Sequence, residues 1–246
     1  MKESKKPSNK KMFKNRIIAC VIFTLFTIGF TLLIKNVGTG EVIVGEPSGE
    51  VITSTSTTVG FYITNTKFKN SIGYNDTWYK ISKYSGYLLV VPVATLALIG
   101  IYQMIKRKSF KKVDRELKLL VPFYAAIAAV YLFFEKLFIV NYRPFIMDGE
   151  LEPSYPSSHT LFAICICCSS MMVIARLLRE KRAKLAIFIN LALTLLMIIT
   201  VIGRLLSGVH WITDILGGFF IASTLIFYLV TFLQYNPKQK KTKEKE

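Results

Sequence analysis

The sequence predicts an all-α, polytopic membrane protein: a bundle of about six transmembrane helices with both termini in the cytoplasm. Three observations carry that expectation. Hydrophobic residues make up 52% of the 246, and mean hydropathy is +0.43. The apolar residues gather into runs near the length, about 20 residues, that a helix needs to cross a bilayer core. The formal net charge of +17 sits mostly between those runs instead of within them.

The first run is Ile17–Ile34. A basic stretch precedes it, as in a signal peptide, but the apolar core is longer than a typical h-region and no small-x-small site closes it, so a retained span is expected. The second run is Tyr87–Ile105, the third Leu119–Phe134 and the fourth Thr160–Ala175. The fifth is Leu185–Gly203 and the sixth Ile215–Leu233. The third and fourth are short for a crossing. Pro92 and Pro122 fall inside the second and third, a placement that membrane helices tolerate. Cys20, Cys165, Cys167 and Cys168 all lie in apolar runs, with neither a disulfide framework nor zinc-ligand spacing, and read as packing residues.

Orientation follows from the loops. Residues 1–16, "KRKSFKKVDRELK", "RLLREKRAK" and residues 236–246 hold most of the 32 Lys and Arg. Six spans put all four segments on one side, which the positive-inside bias makes the cytoplasm. The charge is then a topology signal, and nucleic acid is not an expected partner. The expected organisation is a basic tail (1–16), a six-span membrane domain (17–235) and a second basic tail (236–246), in the plasma membrane. Residues 37–86 form a long polar, aromatic-rich segment on the outer side. They suit either a membrane-interface segment or a folded cap.

Three polar clusters fall at the outer ends of spans three to six: "KLFIVNYRP" with Lys136 and Arg143, "YPSSHT" with Ser157, Ser158 and His159, and "GRLLSGVHWITD" with Arg204, His210 and Asp214. Both histidines of the chain are among them. Cations converging beside a bilayer suit a group with two or more negative charges, such as phosphate, and the planar fork of arginine pairs with two oxygens at once. Ser157 and Ser158 stand where a helix opens, so hydroxyls and free N–H groups are available to an anion. His210 and Asp214 share a face if the sixth helix extends back to His210. The aspartate can then hold one imidazole tautomer while the far nitrogen attacks. His159 can protonate a leaving oxygen and later activate water. No metal is required. Singly, each residue has a plainer use as an interfacial anchor, a snorkelling cation or a helix cap; jointly, at these fixed spacings, the plain readings lose ground.

These clusters resemble the three signature motifs of the type 2 phosphatidic acid phosphatase superfamily, which also includes vanadium haloperoxidases. The family pattern is Lys, six residues, Arg-Pro; then Pro-Ser-Gly-His; then Ser-Arg, five residues, His, three residues, Asp. The first motif is matched fully, the second has Ser158 for the glycine, and the third has Gly203 for the leading serine. The resemblance spans residues 136–214 and implies metal-independent, cofactor-free hydrolysis of a lipid phosphate or pyrophosphate through a phosphohistidine. It makes His210 the nucleophile, Asp214 its partner and His159 the acid/base. Lys136, Arg143, Ser157, Ser158 and Arg204 would bind the phosphate. Undecaprenyl pyrophosphate, phosphatidate and phosphatidylglycerol phosphate are the substrates in view, at an extracytoplasmic site. The alternative is a non-catalytic lipid-binding or transport protein of the same fold. It would need charges deep within spans, and Asn190 is the main polar residue there. Haloperoxidase chemistry would require bound vanadate.

Overall fold

The computed structural model describes residues 9–47, 55–147, 149–178 and 182–235. Residues 1–8 and 179–181, which carry part of the expected cytoplasmic charge, and the tail 236–246 lie outside the described residues. In chain order the elements are α1 (Asn9–Asn36), β1 (Gly40–Val44), β2 (Thr55–Val59), α2 (Tyr62–Ile72), α3 (Asp76–Leu88) and α4 (Val90–Arg107). A 3₁₀ turn (Phe110–Lys112) leads to α5 (Arg115–Leu132), which ends in a π-helical turn (Phe133–Leu137). The chain closes with α6 (Ser158–Leu178), α7 (Ala183–Leu206) and α8 (Ile212–Gln234).

Six helical units among the described residues are long and apolar enough to cross a membrane, as the sequence predicts. In hydrocarbon every backbone N–H and C=O needs an internal partner, which favours uninterrupted helices of this kind. Their outward faces carry large apolar side chains, such as Ile22 and Leu25 on α1 and Phe188 on α7. In a bilayer these face lipid.

The bundle is centred on α6. Leu161, Ala163, Cys165, Cys167 and Val173 are fully buried there, against α7 and α8. The cysteines are free, consistent with packing use. Helix α1 lies along α8 through paired hydroxyls: Thr27 to Thr224 at 2.9 Å and Thr24 to Tyr228 at 3.2 Å. Each such interhelical bond contributes about 1 kcal/mol in a membrane, since lipid offers no competing partner.

Two boundaries differ from the sequence expectation. The second span is the pair α3–α4, Asp76–Arg107, and not a helix opening at Tyr87. Asn75 opens it, its side chain accepting from the Trp78 N–H at 3.1 Å, as an N-cap should. The single break, at Leu89, follows from Pro92, which has no N–H for the carbonyl four residues back. A unit of 32 residues is ~48 Å long against a core of ~30 Å, so its first turns stand above the hydrocarbon. The second difference concerns α8, which begins at Ile212 and does not reach back to His210.

The segment 37–86 is therefore partly a folded cap and partly a span. Strands β1 and β2 pair antiparallel, with Val44 and Val59 buried beneath them. Asn65 of α2 is fully buried and donates to the Gly60 carbonyl at 2.7 Å and to Thr213 Oγ1 at 3.0 Å. The cap is thus tied to the first turn of α8. Its aromatics are divided: Tyr74 meets Tyr79 and Phe145, while Tyr84 is exposed.

Candidate active site

The start of α6, the end of α7 and the start of α8 meet at the cap end of the bundle. The turn between α7 and α8 is shaped by Gly208, whose φ of +72° an L side chain rarely adopts. A Cβ there would also sit 1.8 Å from the Gly73 carbonyl oxygen. This turn carries Ser207, Val209, His210 and Trp211 inward, all buried.

Asp214 is fully buried and its two oxygens are assigned. Oδ1 accepts from Asn141 Nδ2 at 3.0 Å, and Oδ2 accepts from the Trp211 N–H at 3.0 Å. The same Oδ2 lies 3.6 Å from His210 Nδ1. Sequence spacing anticipated that proximity for the wrong reason: the capping turn, not a continuous helix, folds His210 back over Asp214. The aspartate serves both as cap and as neighbour of the imidazole. With Nδ1 turned to the carboxylate, Nε2 is the free nitrogen.

Burial holds the His210 imidazole well below its usual protonation range, and the charges of Arg143 and Arg204 push the same way, against a weaker effect of the Ser154 backbone. His210 is neutral at physiological pH, as a nucleophile must be.

The second motif is locked to the third. The Ser157 N–H donates to the Asp214 carbonyl at 3.0 Å, and Ser157 Oγ accepts from Thr160 at 3.1 Å. This approach requires glycines on α8: a Cβ on Gly217 would fall 2.1 Å from Tyr155 Cε2. Ser158 is the first residue of α6, so its N–H and that of His159 have no acceptor one turn back. Arg204 donates to His159 Nδ1 at 2.8 Å, and its guanidinium lies over the Tyr79 ring, 5.4 Å from the centroid. Arg143 pairs with Glu152 at 2.8 Å.

The structure thus gathers Arg143, Ser157, His159, Arg204, His210 and Asp214. Lys136 stands apart. It is exposed on the π-helical turn and makes no hydrogen bond or ion pair among the described residues. What remains open in the cluster is informative. Arg143 Nε, Arg204 Nε and Nη1, and both ring nitrogens of His210 are buried without a hydrogen-bond partner. Buried polar groups are nearly always paired, and guanidinium donors left open together suit an anionic ligand.

Several residues that shape the site escaped the sequence reading. Asn141 lies inside the first motif, where it read as spacing. Glu152 meets Arg143 from a loop without a motif. Trp211 is fully buried and donates its indole N–H to the Tyr142 carbonyl at 2.6 Å. On α3, Tyr79 carries Arg204, Ser82 faces Gly203, and Gly86 abuts the His159 ring. Tyr79, Ser82 and Gly86 sit three and four residues apart, the helical spacing that would have revealed one face. The packing also accounts for the departure at Gly203: a Cβ there would be 2.9 Å from Ser82 Cβ, so α3 lies where a serine would need room.

Residues 119–238 match the PAP2 superfamily, a stretch that holds all three motifs and helices α6–α8. No curated protein matches the chain. Among solved structures it is similar to a transmembrane PAP2-type phosphatidylglycerolphosphate phosphatase from Bacillus subtilis, with a TM-score of 0.55 and 17% identity over 89% of this chain and 98% of that one. The PAP2 match covers residues 119–238, the part of the chain that carries the three motifs. The chain's fold is that of a multi-pass membrane protein, with six helical units among the described residues long and apolar enough to cross a bilayer.

Proposed function

We propose that the protein removes the terminal phosphate from a lipid phosphate or pyrophosphate, of the undecaprenyl pyrophosphate, phosphatidate or phosphatidylglycerol phosphate type, through a phosphohistidine on His210. The observation that carries this reading is the set of buried, unpaired guanidinium donors on Arg143 and Arg204 beside the open ring nitrogen of His210.

A phosphate seated there accepts from Arg143 and Arg204 and from the Ser158 and His159 N–H groups at the start of α6, where the helix dipole also favours an anion. Its arrival draws Arg204 from His159 and replaces a cation beside that ring with negative charge, which favours a proton on the imidazole. His210 Nε2 then attacks phosphorus, the phosphorus–oxygen bond to the lipid breaks, and His159 gives its proton to the leaving oxygen. Asp214 stabilises the His210 cation as it forms. In the second half His159 takes a proton from water, the oxygen attacks phosphorus, the phosphorus–nitrogen bond breaks, and inorganic phosphate leaves. Lys136, on a long flexible stem at the rim, reaches toward the headgroup from outside. The charge asymmetry of the loops supports an extracytoplasmic site in the plasma membrane.

The test is phosphate release by detergent-purified protein, with EDTA present, on each of the three lipids. His210→Ala lowers turnover by roughly 10⁴-fold or more while leaving lipid binding in place. Equal release by the variant and the wild type would sink the phosphohistidine.

A further inference from the structure

Helix α3 lies outside the three motifs, yet it forms a wall of the site. Gly86 touches His159: a Cβ on Gly86 would lie 2.6 Å from His159 Cδ2. Two turns earlier, Tyr79 holds the Arg204 guanidinium over its ring. Lys83 stands between them on the same helix, four residues after Tyr79 and three before Gly86, hence on the same face. Its Nζ lies 5.7 Å from the Tyr79 ring centroid, so Lys83 and Arg204 share one aromatic platform. Lys83 is half-buried and has no carboxylate partner among the described residues. Arg204 beside it is 3% exposed and leaves Nε and Nη1 unpaired.

The position of Lys83 relative to the reaction gives it a meaning. This step rests on the phosphatase reading above. His159 is the group that protonates the leaving oxygen, so the lipid part departs on the side of His159, which is the side closed by α3. A cation on that side does nothing for a neutral alcohol as it leaves. It stabilises a leaving group that itself carries negative charge. We infer that Lys83, beside the Arg204 that holds the reacting phosphate, forms a second anionic subsite, and that the preferred substrate carries a second phosphate on its lipid side. A lipid diphosphate, whose leaving group is a lipid monophosphate, meets that requirement. So does a terminal phosphate separated from a phosphodiester by a short polyol, as in phosphatidylglycerol phosphate. Phosphatidate, which leaves as neutral diacylglycerol, does not. Lys83 is on this account a specificity-determining residue, and the reaction itself stays with His210 and His159.

The experiment compares kcat/KM of wild type, Lys83→Met and Lys83→Arg on a polyprenyl diphosphate, phosphatidylglycerol phosphate and phosphatidate in one detergent. The wild type prefers the two substrates with a second phosphate. Lys83→Met lowers kcat/KM on those two by about tenfold, the worth of one charge-assisted hydrogen bond, and leaves phosphatidate within about twofold. Lys83→Arg keeps the preference. An equal loss on all three lipids, or no loss on any, overturns the subsite while leaving the phosphatase reading intact. A wild-type enzyme that releases phosphate from none of the three overturns both. The half-exposed position on a helix favours folding of either variant, and size-exclusion profiles confirm it.

Discussion

Helices α6 to α8 and the stretch from residue 37 to 86 meet at one site and contribute opposite things to it. The motif segments bring charge: Arg204, His210 and Asp214 are buried and His159 is half-buried, and several of the Arg204 and His210 nitrogens are left without partners. The earlier stretch brings mainly shape and anchoring. Asn65 ties the cap to Thr213, Tyr79 supports Arg204, and Gly86 leaves room for His159. Charge confined to so small a volume would collapse onto itself or draw in water unless something else held the side chains apart. The comparison teaches that the residues of a motif define chemistry, whereas the walls that preserve it can come from sequence with no motif at all.

Three substitutions or conditions sharpen that division, in descending size. Gly86→Ala puts a methyl 2.6 Å from His159 Cδ2 and forces the imidazole to move. A misplacement of that order costs roughly 10²-fold in kcat, with thermal stability and lipid binding close to wild type. A wild-type kcat in this variant would show that α3 does not position His159. Asn65→Ala removes the amide that bonds Gly60 and Thr213, and strands buried backbone and hydroxyl groups. The expected loss is about 2 kcal/mol of stability, read as a lower melting temperature in detergent. An unchanged melting temperature would mean that the cap sits on α8 without securing it. The smallest effect belongs to pH. His210 is neutral in the fold, whereas the unfolded chain takes a proton below its ordinary value of 6.5. Unfolding therefore lets this imidazole bind a proton at low pH, so its contribution to stability falls as pH drops below about 6.5 and levels off above it. From neutrality to about pH 5.5 the His210 share alone amounts to about 1 kcal/mol, or roughly 2–4 °C, and it is read as the difference between wild type and a variant without the imidazole. The drop shrinks by that much in His210→Gln, and an identical drop in both proteins would argue against a buried neutral imidazole.

Much of this was legible in one dimension. Six apolar runs, the basic loops and three fixed-spacing clusters each leave a local trace, because hydropathy, charge and spacing are properties of short stretches. Even so, the trace misled at two ends. The second span begins eleven residues before Tyr87, at Asp76, because turns that stand above the hydrocarbon need not be apolar. Helix α8 starts after His210, because the Asp214 carboxylate caps the helix at Trp211 instead of sitting in its second turn. Lys136 shows the converse, since perfect motif spacing did not bring it into contact with the other site residues. The π-helical turn that carries it interrupts the regular helix, and no hydrophobicity pattern announces such a turn.

What the sequence by itself determined is the class of molecule and the inventory of reactive groups, since bilayer-length runs and the motif residues are written in contiguous order. Tertiary structure alone decided which of those groups face one another and what encloses them. The 73 positions from Asn141 to Asp214, and the 148 from Asn65 to Thr213, are closed by side-chain hydrogen bonds. Such contacts depend on how whole helices cross and how closely glycines let them approach, and a linear spacing carries no record of either.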